Sequence, residues 1–109
     1  MMPEQSKKAV SGQIAERYER LFSPADDLVK DARKPGGLGP EAYMKAVQKI
    51  ESTIREREKE GDRDYAMYAA AARTVKGYIG QMPQKPEYAI VRKNLKEAMT
   101  RYEFKARQR

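Results

Sequence analysis

The sequence predicts an all-α fold, a small antiparallel bundle of four to five helices, and three observations carry that expectation. Apolar residues recur at steps of three and four almost from end to end, no window between turn signals alternates with a period of two, and Gly- and Pro-rich breaks divide the chain into helix-length pieces. Short breaks between amphipathic helices fold neighbours back on each other, which gives the antiparallel arrangement. A chain of 109 residues has room for one domain, spanning 1–109, with a frayed N-terminus at 1–6 and a basic tail at 105–109.

The series Val10, Ile14, Tyr18, Leu21, Phe22, Ala25, Leu28, Val29 and Ala32 stays on one helical face. Inside it, Ser23-Pro24-Ala25-Asp26 reads as an N-cap, a first-turn proline and an acid suited to the positive helix start. The expected elements are a helix over 5–22 and another over 24–33, as two helices or one kinked rod. Lys34-Pro35-Gly36-Gly37-Leu38-Gly39-Pro40 is the clearest break, and Pro40 is placed to open a third helix over 40–59 with Tyr43, Val47, Ile50 and Ile54 buried. Gly61 ends that helix and Asp62 caps a fourth, over 63–81. Its apolar sector is the widest in the chain, with Tyr65, Tyr68, Ala72, Val75 and Ile79 on one side and Met67, Ala71 and Tyr78 on the shoulders. It is therefore expected to be the central helix. A second break, Gly80 to Pro86, precedes a fifth helix over 86–106, whose Tyr88, Val91, Leu95, Ala98 and Tyr102 have the spacing of a packing seam.

Composition bounds the chemistry. Leu, Ile, Val and Phe are scarce, so Ala, Tyr and Met must fill much of the core, and a core of that kind has little stability to spare. Help from a partner or a second copy of the chain follows as an expectation. The seven tyrosines are read mainly as core filling, and each buried hydroxyl then needs a hydrogen-bond partner. With no His and no Cys, the chain has no imidazole base, thiolate, disulfide or thiolate-based metal site, and no residues assemble a nucleophile with a base. The expectation is a non-enzymatic protein with no cofactor and no bound metal. No stretch has the length of a signal-peptide or membrane-spanning apolar run, which points to a soluble and by default cytoplasmic protein.

The net charge of +7 is unevenly placed. Residues 1–39 carry a net of +1, residues 40–61 balance, and residues 62–109 carry +6. On a helical wheel of the last helix, Lys93, Lys96 and Arg107 lie opposite the apolar seam with Phe104 among them, Arg92 and Arg101 lie on the flanks, and Lys105 begins the basic tail. Such a surface suits a phosphate backbone, because Lys and Arg displace counterions and an aromatic ring can stack on an unpaired base. The candidate nucleic-acid-binding residues are thus Arg92, Lys93, Lys96, Arg101, Phe104, Lys105 and Arg107, within a basic surface of residues 76–109. The same residues also read as a solvated helix face with cations biased toward the helix C-terminus.

Other features have plainer explanations. Gly36-Gly37-Leu38-Gly39 before a helix loosely resembles a phosphate-cradling loop, but what precedes it reads as helix, no Gly-Lys-Ser or Gly-Lys-Thr follows, and Glu41 would repel an anion. Asp62 and Asp64 could face a hard cation, yet capping accounts for them. Arg55 to Glu60 reads as an exposed helix end, with Glu51 and Arg55 as an i, i+4 pair. Asp26 and Asp27 suit a helix start. Ile90 and Phe104 fall off the seam and together mark a contact surface.

Two functions follow. The first is a small basic helical module that associates with nucleic acid or a nucleoprotein assembly. The alternative is a protein-interaction module, such as an adaptor, regulatory subunit or inhibitor, that binds an acidic protein partner or forms a homo-oligomer through Tyr- and Met-rich helical faces. Membrane-surface binding ranks below both, since the last helix carries Tyr and Ala where an interfacial helix needs bulkier anchors.

Overall fold

The computed structural model describes residue 18, residues 20–32 and residues 39–107. Among the described residues there are four α-helices and no strand: α1 (Ser23–Ala32), α2 (Pro40–Lys59), α3 (Tyr65–Gln81) and α4 (Ala89–Arg107), the last entered through a 3-10 turn at Pro86–Tyr88. The protein is the small all-α bundle that the hydrophobic spacing predicts. α1 packs chiefly on α2, and α3 on α4, so two helical hairpins bury their apolar faces against each other.

Of the helix expected over 5–22, only Tyr18 and residues 20–22 are described. Arg20 and Leu21 are helical, Phe22 is a turn, and helix resumes at Ser23. The Phe22 carbonyl accepts from the amides of Ala25 and Asp26 at 3.0 and 3.1 Å, so α1 grows directly out of that turn. The expected N-terminal fraying over 1–6, residues 34–38 of the first break and the last two residues of the tail lie outside the described residues.

Chain punctuation follows local stereochemistry. Gly39 precedes Pro40 at a φ of 59°, a backbone state that glycine adopts without penalty, and Pro40 opens α2. At the other end of α2, Gly61 takes a φ of 90°, its amide donates to the Glu58 carbonyl at 3.0 Å, and the Asp62 amide donates to the Arg57 carbonyl at 2.9 Å. That pair of bonds is a Schellman motif, and it corrects the expected start of the next helix. Because Asp62 completes the end of α2, it is not the cap of α3. Asp64 is: its carboxylate accepts from the Ala66 amide at 3.0 Å, and α3 begins at Tyr65, two residues later than expected. Met82 ends α3 in an extended conformation, which the following Pro83 imposes, and Lys85 is extended before Pro86 for the same reason. The fifth expected helix is therefore a 3-10 turn over its first three residues and α-helix from Ala89.

The expected seams of α2 and α4 are buried in full: Tyr43, Val47, Ile50 and Ile54 on one, Val91, Leu95, Ala98 and Tyr102 on the other, with Tyr88 from the 3-10 turn. α3 is rotated from the expected face. Its buried line is Met67, Ala71, Val75 and Tyr78, joined by Tyr68, Ala70 and Ala72, while Tyr65 is 59% exposed and Ile79 is only partly covered. At 100° per residue Tyr65 lies about 120° from the centre of that line, too far round to reach the core. Ala70, Ala71 and Ala72 put little bulk between α3 and its neighbours.

Three buried tyrosines meet the need for a hydroxyl partner with a carboxylate from another part of the chain. Tyr18 donates to Asp64 at 3.2 Å, Tyr68 to Glu58 at 2.7 Å, and Tyr78 to Asp26. Tyr43 sits between Tyr78 and Tyr88 in edge-to-face contacts at 6.5 and 6.1 Å. The tyrosines thus fill volume and tie the hairpins together at their rims.

Candidate nucleic-acid interface

α4 is helical because Leu95, Ala98 and Met99 favour it and because the seam from Tyr88 to Tyr102 buries against the rest of the fold. Burying that seam fixes where every cation on the helix points. The seven residues singled out in the sequence separate into three groups.

Lys93, Lys96, Phe104 and Arg107 stay together on the outer side, all exposed, and Phe104 is 62% accessible. None of the three cations has an ion-pair partner among the described residues. Glu97 shares this stripe and Glu103 borders it. Ile90, 76% exposed, lies at its N-terminal end.

Arg101 and Lys105 face α2 instead. Arg101 holds Glu51 at 2.6 Å, and Lys105 reaches Glu58 at 3.4 Å while lying 5.3 Å from the centre of the Tyr68 ring. The expected i, i+4 pairing of Glu51 with Arg55 gives way to this contact between helices. Glu58 accepts from the Tyr68 hydroxyl, and that bond, opposed by partial burial and aided by Lys105, holds its carboxyl below the usual range. Tyr68 is pushed up to about 12 by burial and by the same glutamate.

Arg92 is a structural residue. Its guanidinium donates to the Pro83 carbonyl at 2.7 Å, clamping the α3–α4 connection to α4, and its Nε is enclosed without a partner. A half-buried cation used in this way adds little to an outer binding surface.

Two residues join the ridge that the sequence reasoning did not single out. Arg73 and Lys76 on α3 line a shallow groove with Ala69 and Ala72, facing Glu103 and Arg107 of α4. Their three-residue spacing, on the side of α3 away from Met67, Val75 and Tyr78, is the signal that could have located them. The outer face of the α3–α4 hairpin therefore carries Lys93, Lys96 and Glu97 along one stretch of α4 and Arg73, Lys76, Glu103 and Arg107 along the groove, with Thr100 and Phe104 also exposed on α4. A flat cationic face with one projecting aromatic ring has the chemistry to neutralise phosphates and to stack on a base.

Elsewhere, the Asp64 carboxylate caps α3 by accepting from the Ala66 amide at 3.0 Å, and Asp62 accepts from the Asp64 amide at 3.4 Å in the turn before it, so backbone donors account for both. Among the described residues no three acidic side chains gather as a metal site, and no helix is long and apolar enough to cross a membrane. Comparison of the chain with protein families, curated proteins and solved structures finds no match.

Proposed function

We propose that this chain is a non-catalytic helical binding module that associates with nucleic acid, alone or within a nucleoprotein assembly, through the outer face of the α3–α4 hairpin. The observation that supports this most is the solvation of Lys93, Lys96 and Arg107 beside an exposed Phe104, with no internal acid pairing those cations among the described residues. Placement of charge in this way favours an extended polyanion over a compact ligand, because the cations follow a helix and do not converge on one point. The proposed setting is the cytoplasm, where such polyanions are abundant.

A protein-interaction role has a specific observation of its own. Ile90 and Phe104 are both exposed and fourteen residues apart on one stripe of α4, which suits an apolar contact at either end of a polar helix face. The nucleic-acid role ranks first because charged residues, Lys93 and Lys96 among them, and no large apolar side chain lie exposed on the stripe between them.

The deciding measurement is fluorescence anisotropy of a labelled single-stranded oligonucleotide titrated with the protein at several salt concentrations. Affinity should fall steeply and linearly on a double logarithmic plot. Binding that is absent at low salt, or indifferent to salt, refutes the proposal.

A further inference from the structure

We propose that the cleft between α2 and α4 is a second site, one that takes a phosphoryl group held by Arg55, Arg101 and Lys105, with the Tyr102 hydroxyl donating to it from the cleft floor. The cleft has a volume of about 270 Å³ and is walled by those four residues together with Glu51 and Glu58. Tyr102 is 4% exposed, and its hydroxyl is enclosed beside the Arg101 guanidinium with no well-formed hydrogen bond among the described residues. Tyr18, Tyr68 and Tyr78 each donate to a carboxylate, so Tyr102 stands apart from them. A buried hydroxyl without a partner is destabilising, and a ligand oxygen removes that cost. Burial acts on this hydroxyl first, then Glu51, Arg101 and Arg55, and Arg101 lies close enough to cover it.

The pairing of charges around the cleft explains why an anion would enter despite two glutamates. Glu51 is held by Arg101, and Glu58 by Tyr68 and Lys105. Arg55, four residues from Glu51 and three from Glu58, is exposed and has no ion-pair partner among the described residues. Three cations therefore face two already engaged carboxylates. Exposed ion pairs of this kind are weak, and a guanidinium meets the paired oxygens of a phosphoryl group, monoester or diester, with two parallel N–H bonds. In the proposed bound state Arg101 turns from Glu51 to such a group, and that movement uncovers the Tyr102 hydroxyl beneath it. The phosphoryl group can be free inorganic phosphate or a backbone phosphate of a nucleic acid, and the site does not depend on the outer ridge.

Thermal unfolding of the full chain tests this with two ligands, inorganic phosphate against chloride at matched ionic strength and a short single-stranded oligonucleotide. The proteins are wild type, Arg55→Gln, Tyr102→Phe and the ridge variant Lys93→Gln/Lys96→Gln. Phosphate at about tenfold its Kd should raise the Tm of wild type and of the ridge variant by several degrees. The rise should disappear in Arg55→Gln and shrink in Tyr102→Phe, whose Tm without ligand should be no lower than that of wild type. A rise with the oligonucleotide alone, still dependent on Arg55, assigns the phosphoryl group to a nucleic-acid backbone. No rise with either ligand, or a rise retained in full by either cleft variant, overturns the proposal. The ridge variant keeps this outcome separate from failure of the nucleic-acid interface.

Discussion

Replacing Lys93, Lys96 and Arg107 by Gln removes three exposed charges that have no ion-pair partner among the described residues, so the change should fall on a polyanion partner and not on the fold. The magnitude follows from counterion release. Each phosphate neutralised on a single strand contributes roughly 0.7 to the slope of log affinity against log salt, so three lost contacts lower that slope by about 2. Between about 50 and 200 mM salt, wild type should then lose roughly 20-fold more affinity than the variant. The matching control is Lys45→Gln/Lys49→Gln/Lys59→Gln, which takes the same three charges from the exposed side of α2 and lowers the net charge of +7 by the same amount. Fluorescence anisotropy over a salt series gives both slopes, and thermal unfolding should place both variants within about 0.5 kcal/mol of wild type, as expected of exposed side chains. Equal slopes for ridge and control would mean that net charge alone drives association, and the assignment of the α3–α4 face would be wrong.

Other perturbations test the fold beneath that face. Leu95→Ala, at a fully buried position on the α4 seam, should cost about 2–5 kcal/mol in chemical denaturation. Gly61→Ala should cost about 1 kcal/mol through its positive φ alone, since an added Cβ would meet open space. Asp64→Ala should cost about 1 kcal/mol as a lost cap and also release Tyr18, whereas Asp62→Ala should change the unfolding midpoint little; the reverse order would undo the assignment of the cap. Glu58 has a lowered pKa, so its contribution is complete above the ordinary glutamate value of about 4.3 and is lost as pH falls through the lower folded value. Glu58→Gln should therefore show a flatter decline of Tm in acid than wild type.

The helices whose buried side is one narrow stripe were legible residue by residue. Tyr43, Val47, Ile50 and Ile54 on α2, and Val91, Leu95, Ala98 and Tyr102 on α4, form stripes that only one rotation of the helix can bury. α3 was legible as a helix but not in rotation. Its apolar sector runs too far round for periodicity to set a direction, and Ala69 to Ala72 add no bulk to favour one side, so Tyr65 was placed inward when it lies outside. Capping failed for a related reason. Asp62 and Asp64 are equally good caps as residue types, and only the Schellman closure at Gly61 decides between them. The exposed ridge of Lys93, Lys96, Phe104 and Arg107 could be read from a single helical wheel. The pairs Arg101 with Glu51 and Lys105 with Glu58 could not, because they depend on how far α4 is slid and turned against α2, and local spacing offered Arg55 to Glu51 instead.

That difference divides the cations of α4 by role. Arg92, fastened to the Pro83 carbonyl, acts on the connection between helices, and its loss should register in stability before it registers in binding. Arg101 and Lys105 hold glutamates of α2, so each pair presents little net charge to a polyanion, and removing the cation there leaves an uncompensated Glu51 or Glu58. Lys93, Lys96 and Arg107 have no such counterweight among the described residues. A sum over the basic residues of 62–109 treats all these charges alike and overstates the field that a polyanion meets on the α2 side while describing the outer side correctly. The charge outside is consequently one-sided: Lys93, Lys96 and Arg107 stand exposed on the outer side, and the internal pairs offset the cations toward α2. Under the proposed function a polyanion is drawn to that outer side, where Phe104 is also exposed.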